Sequence, residues 1–322
     1  ATTLADHHVA IGRGAMSGAI VAEDLNFCVA VGDLAMSGDL DAAASGSVAL
    51  GKSALAALTS GANNLAIGYT ALAQHTTGHR NIAIGAGAMA VTDANDCKTS
   101  IDNIFIGYVA GGGTWATNDS NFNIGIGNYV MDAAMDGALN NTAVGHLALS
   151  ALTTGVNNVC IGGQAGDAIN TGSANTIVGF DAGSHSGTNL TTGIGNVIFG
   201  AYVDVLSATA NDQHGFGYDI GCESGYTTLG NTGSDIRAAH GNVTWATVSD
   251  QRYKKDIADS TAGLAFVNAL QPRTFKYKTL GELPTAFRAY KDNSTEVYKN
   301  ANTNHGFIAQ EVKAAIDADS SI

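Results

Sequence analysis

The chain has 322 residues, with 41 glycines, 2 prolines, 13% charged residues and a formal net charge of −13. Residues 1–248 contain 5 Lys/Arg against 19 Asp/Glu, whereas residues 249–322 contain 10 against 9, so a domain boundary is expected at Ser249. With so few basic residues, the acidic first part cannot neutralise phosphates or anionic lipid headgroups, so we do not expect it to bind nucleic acid. No apolar run approaches the ~20 residues of a membrane span, so we do not expect membrane insertion.

An internal repeat dominates residues 1–217. Twelve copies of a short motif end in glycine, and eight of them have Asn four residues earlier. The closing glycines are Gly12, Gly32, Gly51, Gly68, Gly85, Gly107, Gly127, Gly145, Gly162, Gly179, Gly200 and Gly217. Their spacing of 17–22 residues predicts one coil of a solenoid, because a βαβ unit needs about 30 residues.

The residues around each glycine predict short strands. A second half-motif follows many closing glycines, as in YTAL and HLAL, so we expect two strands per coil, separated by turns. In the copy at 64–68, alternation places Leu65 and Ile67 on one face, where we expect them to fill the coil. Ala66 and Gly68 then form the other face. Since this face is also apolar, we expect an identical chain to cover it.

The recurring Asn predicts a ladder of side-chain amides, each bonded to the one above and below. The alternative is that Asn merely suits a turn. Cys160 occupies a position usually held by Ala, so a small buried apolar residue is expected there. The four cysteines are 62 or more residues apart, which fits neither a zinc pattern nor a disulfide framework.

The repeats of residues 7–217 resemble the head repeats of trimeric autotransporter adhesins and matching repeats in many phage tail fibres. The resemblance implies a mainly β fold: a stacked β-coil shaft (β-roll or solenoid) that forms an intertwined or side-by-side homotrimer with two identical chains. We assign residues 1–217 to this shaft and residues 218–248 to a closing β segment. Because the first residue is not Met, we also expect an upstream segment.

The last part of the chain predicts a small α+β domain over residues 249–322. TAGLAFVNAL (261–270) has helical spacing and ends just before Pro272. RTFKYK alternates as a strand, with Phe275 and Tyr277 on one face. HGFIAQEV (305–312) predicts a short strand that runs into a helix.

Three blocks, SDQRYKKDI, GLAFVNALQPRTFKYK and GFIAQEV, resemble in this order the intramolecular chaperone domain of endosialidases, tail spikes and tail fibres. The resemblance implies a domain that trimerises, promotes assembly of the preceding shaft and then cuts itself off. By motif position, Ser249 is the nucleophile, Lys254 the base and Val248–Ser249 the scissile bond of a single-turnover serine endopeptidase. Family members usually continue beyond AQEV, so either the sequence is trimmed or the domain is a short variant.

Such cutting needs a hydroxyl activated by a base, and a lysine serves only when its pKa falls from about 10.4 toward neutrality. Residues five apart diverge on a helix and lie on opposite faces of a strand. Ser249 and Lys254 therefore meet only across a turn or between neighbouring chains, and the second arrangement would tie cutting to completed assembly. On local sequence alone, the Ser-Asp pair is more typical of a helix N-cap than of a nucleophile at Ser249.

Other candidate sites are weaker. His7-His8 and the His75/His79 pair have no helical frame and no third ligand, so we expect surface histidines, no metal and no other cofactor. Some aromatic side chains are candidates for stacking on sugars, although core or interface packing is favoured for each: Trp115, Phe122, Tyr129 and Phe180.

These features together predict a trimeric phage tail fibre or tail spike that attaches to a host surface. We expect it in the virion tail after assembly in the host cytoplasm, with other tail proteins upstream and a host glycan or outer-membrane component as receptor. Two alternatives stay open. One is a bacterial trimeric adhesin head, and the other is a tail-spike polysaccharide depolymerase, which needs paired carboxylates about 5–10 Å apart in a cleft.

Overall fold

A computed structural model describes residues 7–20, 25–92, 99–185, 187–232, 234–241, 246–247, 269–287 and 289–318. The chain forms two compact units, Ala1–Val248 and Ser249–Ile322. The fold is mainly β, as predicted, with a solenoid in the first unit and a short helix in the second.

In the described part of the first unit, eleven strands of three residues each, β1–β11, follow one another at one strand per coil. They are Val9–Ile11, Val29–Val31, Val48–Leu50, Leu65–Ile67, Ile82–Ile84, Ile104–Ile106, Ile124–Ile126, Thr142–Val144, Val159–Ile161, Thr176–Val178 and Val197–Phe199. Each strand pairs in parallel with the next in the same repeat register, so Leu65 lies beside Ile82 and Ile82 beside Ile104. The repeats therefore stack as a β-solenoid.

The sheet changes direction at its C-terminal end. The remaining strands of this unit are β12 Asp204–Val205, β13 His214–Tyr218, β14 Gly221–Cys222, β15 Tyr226–Asn231, β16 Ser234–Ala239 and β17 Ala246–Thr247. β13 and β15 continue the parallel sheet, whereas β16 pairs antiparallel with β15, and β17 pairs antiparallel with β16. β12 and β14 form a separate parallel pair.

The strand faces are the reverse of the prediction. Ala66 is fully buried in the coil, whereas Leu65 and Ile67 lie half-buried on the outer face. The same alternation holds in every strand from β2 to β11. The physical reason is space inside the coil. Where the large Phe105 enters it, the next strand carries Gly125, whose Cβ would lie 2.5 Å from the Phe105 ring.

The second half-motif is a turn, not the predicted second strand. Thr70 and Leu72 have φ of +53° and +51°, the left-handed conformation. Their amides donate to neighbouring coils, from Thr70 to the Lys52 carbonyl (2.9 Å) and from Leu72 to the Ala88 carbonyl (3.0 Å). A left-handed residue costs roughly 1–2 kcal/mol, and complete burial of a leucine stabilises by about 1.5–3 kcal/mol, which offsets that cost at Leu72.

The closing glycine is required by its geometry. Gly68 has a φ of +137°, which side-chain-bearing residues rarely adopt, and an added Cβ would lie 2.4 Å from the Gly85 carbonyl oxygen. Successive coils therefore leave no room for a side chain at this corner, and the glycine recurs in each coil for that reason.

The predicted amide ladder is confirmed. Eight buried asparagines stack along the solenoid: Asn64, Asn81, Asn103, Asn123, Asn141, Asn158, Asn175 and Asn196. From Asn81 onward, each donates through its backbone N and its Nδ2 to Oδ1 of the preceding asparagine, at 2.8–3.3 Å. Gln213 continues the ladder by donating its backbone N to Oδ1 of Asn196 (3.0 Å).

His75 is fully buried, which corrects its prediction as a surface residue. It stands seven residues after a closing glycine, where other coils carry Leu58 and Leu152. Its Nδ1 lies 3.0 Å from the Thr92 hydroxyl and its Nε2 lies 3.2 Å from Nδ2 of Asn81. Because an amide nitrogen only donates, the neutral ring with its proton on Nδ1 satisfies both contacts. Burial lowers the pKa of His75 from 6.5 to about 4.

We expect His75 to make the solenoid acid-sensitive. The unfolded chain binds a proton below pH 6.5 and the folded chain only near pH 4, so stability is complete above pH 6.5 and falls as the pH drops between these values. The pKa difference corresponds to about 3 kcal/mol. In His75→Leu, the loss of thermal stability from pH 7 to pH 4 should be smaller by that amount. Equal losses in both proteins would contradict the assignment.

In the second unit, β18 (Arg273–Phe275) pairs antiparallel with β19 (Asn304–Gly306), and helix α1 spans Ala309–Ala318. A 3-10 turn at Leu280–Glu282 is closed by a capping box with Thr279. The predicted RTFKYK strand is confirmed over Arg273–Phe275 only, and the predicted strand that runs into a helix is confirmed. The helix predicted at 261–270 falls almost entirely outside the described residues.

Candidate functional site

The residues predicted to cut the chain are not among those that the structure describes. Ser249, Lys254 and the Val248–Ser249 bond all lie outside the described ranges. Their roles as nucleophile, base and scissile bond therefore stay predictions.

Arg273 links a strand and a helix in the described part of the second unit. Its Nε and Nη2 donate to the two carboxylate oxygens of Glu311 at 2.9 and 3.0 Å, which ties β18 to α1. Such bidentate pairs fix orientation as well as charge. The rings of Phe275 and Tyr277 contact each other edge to face, with centroids 5.5 Å apart, and the ring centroids of Tyr277 and Tyr298 are 6.2 Å apart.

This unit also has an open apolar cleft. Leu283, Phe287, Ala289 and Tyr298 line it. Phe287 and Tyr298 are 58% and 49% exposed, so the second unit by itself leaves large apolar side chains in contact with water.

A continuous apolar surface runs along the outer face of the solenoid sheet. We call it the apolar stripe and define it as the first and third residues of β1–β11. Because the strands pair in register, these residues form two columns. The first-position column is Val9, Val29, Val48, Leu65, Ile82, Ile104, Ile124, Thr142, Val159, Thr176 and Val197. The third-position column is Ile11, Val31, Leu50, Ile67, Ile84, Ile106, Ile126, Val144, Ile161, Val178 and Phe199.

The stripe continues into the end of the sheet. Phe216, Leu229 and Ile236 follow Phe199 in the pairing register and are 36–43% exposed. At about 4.8 Å per strand, the eleven strands of the stripe span about 50 Å, and two columns of side chains are roughly 10 Å wide. The resulting area, on the order of 500 Å², lies in the upper part of the range for the largest apolar patch of a typical monomer, about 300–600 Å².

The candidate sugar-stacking residues have different environments. Trp115 is fully buried, contacts the Phe105 ring at 6.0 Å and donates from Nε1 to the Gly111 carbonyl at 3.0 Å. It is therefore a core residue and is unavailable to a sugar. Phe122 and Phe180 are 50% and 48% exposed, and Tyr129 contacts neighbouring rings on the surface.

The described cysteines of the shaft are buried. Cys160 is fully buried, as predicted, and burial raises the pKa of its thiol. Within the described ranges, no three His, Cys, Asp or Glu residues are grouped so as to hold a metal ion. No described helix has the length and apolar character needed to cross a membrane.

Comparison with known proteins identifies the C-terminal unit. Residues 249–319, about a fifth of the chain, match the family model described as chaperone of endosialidase. The match begins where the second unit begins. No curated protein and no solved structure matches the chain. The chain thus combines a β-solenoid with a C-terminal unit that is similar to the chaperone of endosialidase family.

Proposed function

We propose that the chain is one protomer of a homotrimeric bacteriophage tail fibre or tail spike. Its C-terminal domain promotes assembly of the trimer and then cuts the chain at Val248–Ser249. The apolar stripe is the observation that carries this proposal, because each coil contributes to it and a single chain leaves it in water.

The stripe supports lateral association of whole solenoids. Its two columns follow the coil stacking, so identical chains placed side by side would bury the same side chains at every level. A closed cyclic assembly buries this surface in each copy and leaves no unpaired stripe. An area of about 500 Å² supplies more than half of the roughly 800 Å² that each partner buries in a stable interface. The C-terminal match to a chaperone of endosialidase favours three copies.

The same family match supports a phage tail as the location, with assembly in the host cytoplasm and other tail proteins upstream. As receptor we propose a host cell-surface glycan or an outer-membrane component. Half-exposed aromatic rings on the shaft, such as Phe122 and Phe180, support a glycan, because an aromatic face packs against a sugar ring. An adhesin head would leave the C-terminal chaperone match unexplained.

Self-cutting is tested by comparing the unmodified chain with Ser249→Ala on a denaturing gel after expression. The unmodified chain should yield a piece ending at Val248, whereas Ser249→Ala should remain at 32.6 kDa, because the variant lacks the nucleophilic hydroxyl. Lys254→Met should also remain intact, since it keeps the length of the side chain and removes the base.

Ser294→Ala is the matched control, since it removes a hydroxyl from the same unit and should be cut normally. Mass spectrometry of the shorter pieces checks that cutting occurs at Val248–Ser249. An intact unmodified chain that is nevertheless trimeric would remove the protease role and leave the fibre role standing.

A further inference from the structure

Two histidines converge at the C-terminal end of the solenoid sheet. His214 lies in β13, and His240 directly follows β16. Their ring centroids are 4.6 Å apart. Thr227 of β15 lies between them, with its Oγ1 3.4 Å from Nδ1 of His214 and 3.3 Å from Nε2 of His240. Two imidazole nitrogens therefore face one point on the outer face of the sheet.

The hydroxyl is a poor partner for both rings at once. Both distances exceed the 2.7–3.2 Å of an ordinary nitrogen–oxygen hydrogen bond. The hydroxyl can donate to the nitrogen of one ring and accept from the N–H of the other, but both contacts are long. His240 is exposed and His214 is half-buried, so a small ion can reach the space between them from solvent.

We propose that His214 and His240 bind one borderline divalent cation per chain, of the Zn²⁺ type, through Nδ1 of His214 and Nε2 of His240. Imidazole nitrogens favour Zn²⁺, Cu²⁺ and Ni²⁺ over Ca²⁺ and Mg²⁺. Both nitrogens lie within 3.4 Å of the same oxygen, so side-chain rotations bring them to the ~2.0–2.1 Å that zinc requires. Water fills the remaining positions on the exposed side.

The ion would connect the parallel and antiparallel parts of the sheet. β13 belongs to the parallel series, whereas His240 follows the first antiparallel strand. A cation bound by both histidines would therefore stabilise the closing β segment, which immediately precedes Ser249 in sequence. This role does not depend on self-cutting or on the identity of the receptor.

The test is a calorimetric titration of the full chain, without an affinity tag, with Zn²⁺. We expect one ion per chain, binding at least tenfold weaker in His214→Gln and in His240→Gln. His146→Gln is the matched control, because His146 is also exposed on the shaft and has no second imidazole near it in the described residues; it should bind like the unmodified chain. Equal affinity in all four proteins would overturn the proposal.

A second measurement uses the unmodified chain and so does not depend on folding of the variants. Diethylpyrocarbonate modifies accessible imidazoles, and peptide mass spectrometry reports each site. Zn²⁺ should slow modification of His240 at least fivefold and leave His146 unchanged, whereas Mg²⁺ should protect neither. Equal protection of both histidines, or protection of neither by Zn²⁺, would refute the site.

Discussion

We expect Ile126→Lys and Ile161→Lys to abolish pairing of the shafts. In the uncut Ser249→Ala background, the parent chain should elute as a trimer of about 98 kDa, three times 32.6 kDa, whereas neither lysine variant should. Both isoleucines belong to the third-position column and are 40% and 41% exposed in a single chain. In an assembly that covers the stripe, each lysine would place an ammonium group in an apolar interface. The desolvation cost is several kcal/mol per charge, and cyclic symmetry repeats it in each chain.

The expected loss of trimer affinity is therefore at least a hundredfold, measured by light scattering coupled to size-exclusion chromatography. Ile194→Lys is the matched control: Ile194 is 52% exposed and lies outside the stripe, so this variant should stay trimeric. Circular dichroism should show unchanged β content in all three variants, because none of the replaced side chains fills the coil.

A cross-linking variant tests the same surface even if the C-terminal domains hold three chains together. Ile126→Cys should form disulfides between chains under mild oxidation, and Ile194→Cys should not. The described native cysteines, Cys28, Cys160 and Cys222, are buried and so do not compete. Trimeric Ile126→Lys together with absent Ile126→Cys cross-links would refute the stripe as the interface.

The coil repeat and the ladder were predictable because both depend on spacing alone. An asparagine that recurs at one coil length, as at Asn141 and Asn158, lies above its own copy and can bond to it. The same spacing aligns His75 with Leu58 and Leu152 and so indicates burial, whereas its residue type indicates an exposed side chain. The alignment was the more informative signal, because position in the coil decides burial.

Polarity does not predict which side chains of each strand point into the coil, since the residues on both faces of the strand are apolar. Side-chain size was the available signal: the middle residue is usually Ala, as in Ala66, while Leu65 and Ile67 flank it. A narrow coil favours a small residue at this position, and it accepts Phe105 where the next strand carries Gly125. The left-handed turns at Thr70 and Leu72 had no such signal, because Thr and Leu are not among the residue types enriched at positive φ, which are Asn, Asp and His.

The two candidate sites, the predicted cutting site and the histidine pair, also differ in how far the sequence predicts them. Ser249 and Lys254 follow only from a resemblance, because nothing in their local spacing distinguishes a catalytic pair from a capped helix. His214 and His240 were missed because 26 positions separate them in sequence and the intervening β15 and β16 bring them together. Such a pairing depends on an antiparallel reversal that the parallel repeat does not predict.

Asn141→Ala should destabilise the middle of the solenoid more than any exposed substitution. Asn141 donates from Nδ2 to Oδ1 of Asn123 (3.0 Å) and to the Gly155 carbonyl (2.9 Å), and its Oδ1 accepts from N and Nδ2 of Asn158 (both 3.0 Å). Alanine removes all four bonds inside a buried column. At about 1–3 kcal/mol for each buried group left unsatisfied, the expected loss is about 3–6 kcal/mol.

Two variants separate the ladder from a general effect of losing an amide. Asn141→Ser should lower the free energy of unfolding by less than half as much as Asn141→Ala. A serine already occupies a ladder position at Ser47, where its hydroxyl accepts from the backbone N of Asn64 (3.2 Å) and donates to the Gly61 carbonyl (3.0 Å). Asn128→Ala, at an exposed asparagine, should change stability by less than about 1 kcal/mol. Chemical denaturation gives the free energies, and hydrogen exchange should accelerate at the Asn158 amide in Asn141→Ala alone. If Asn141→Ala and Asn128→Ala cost the same, the column does not stabilise the stack of coils.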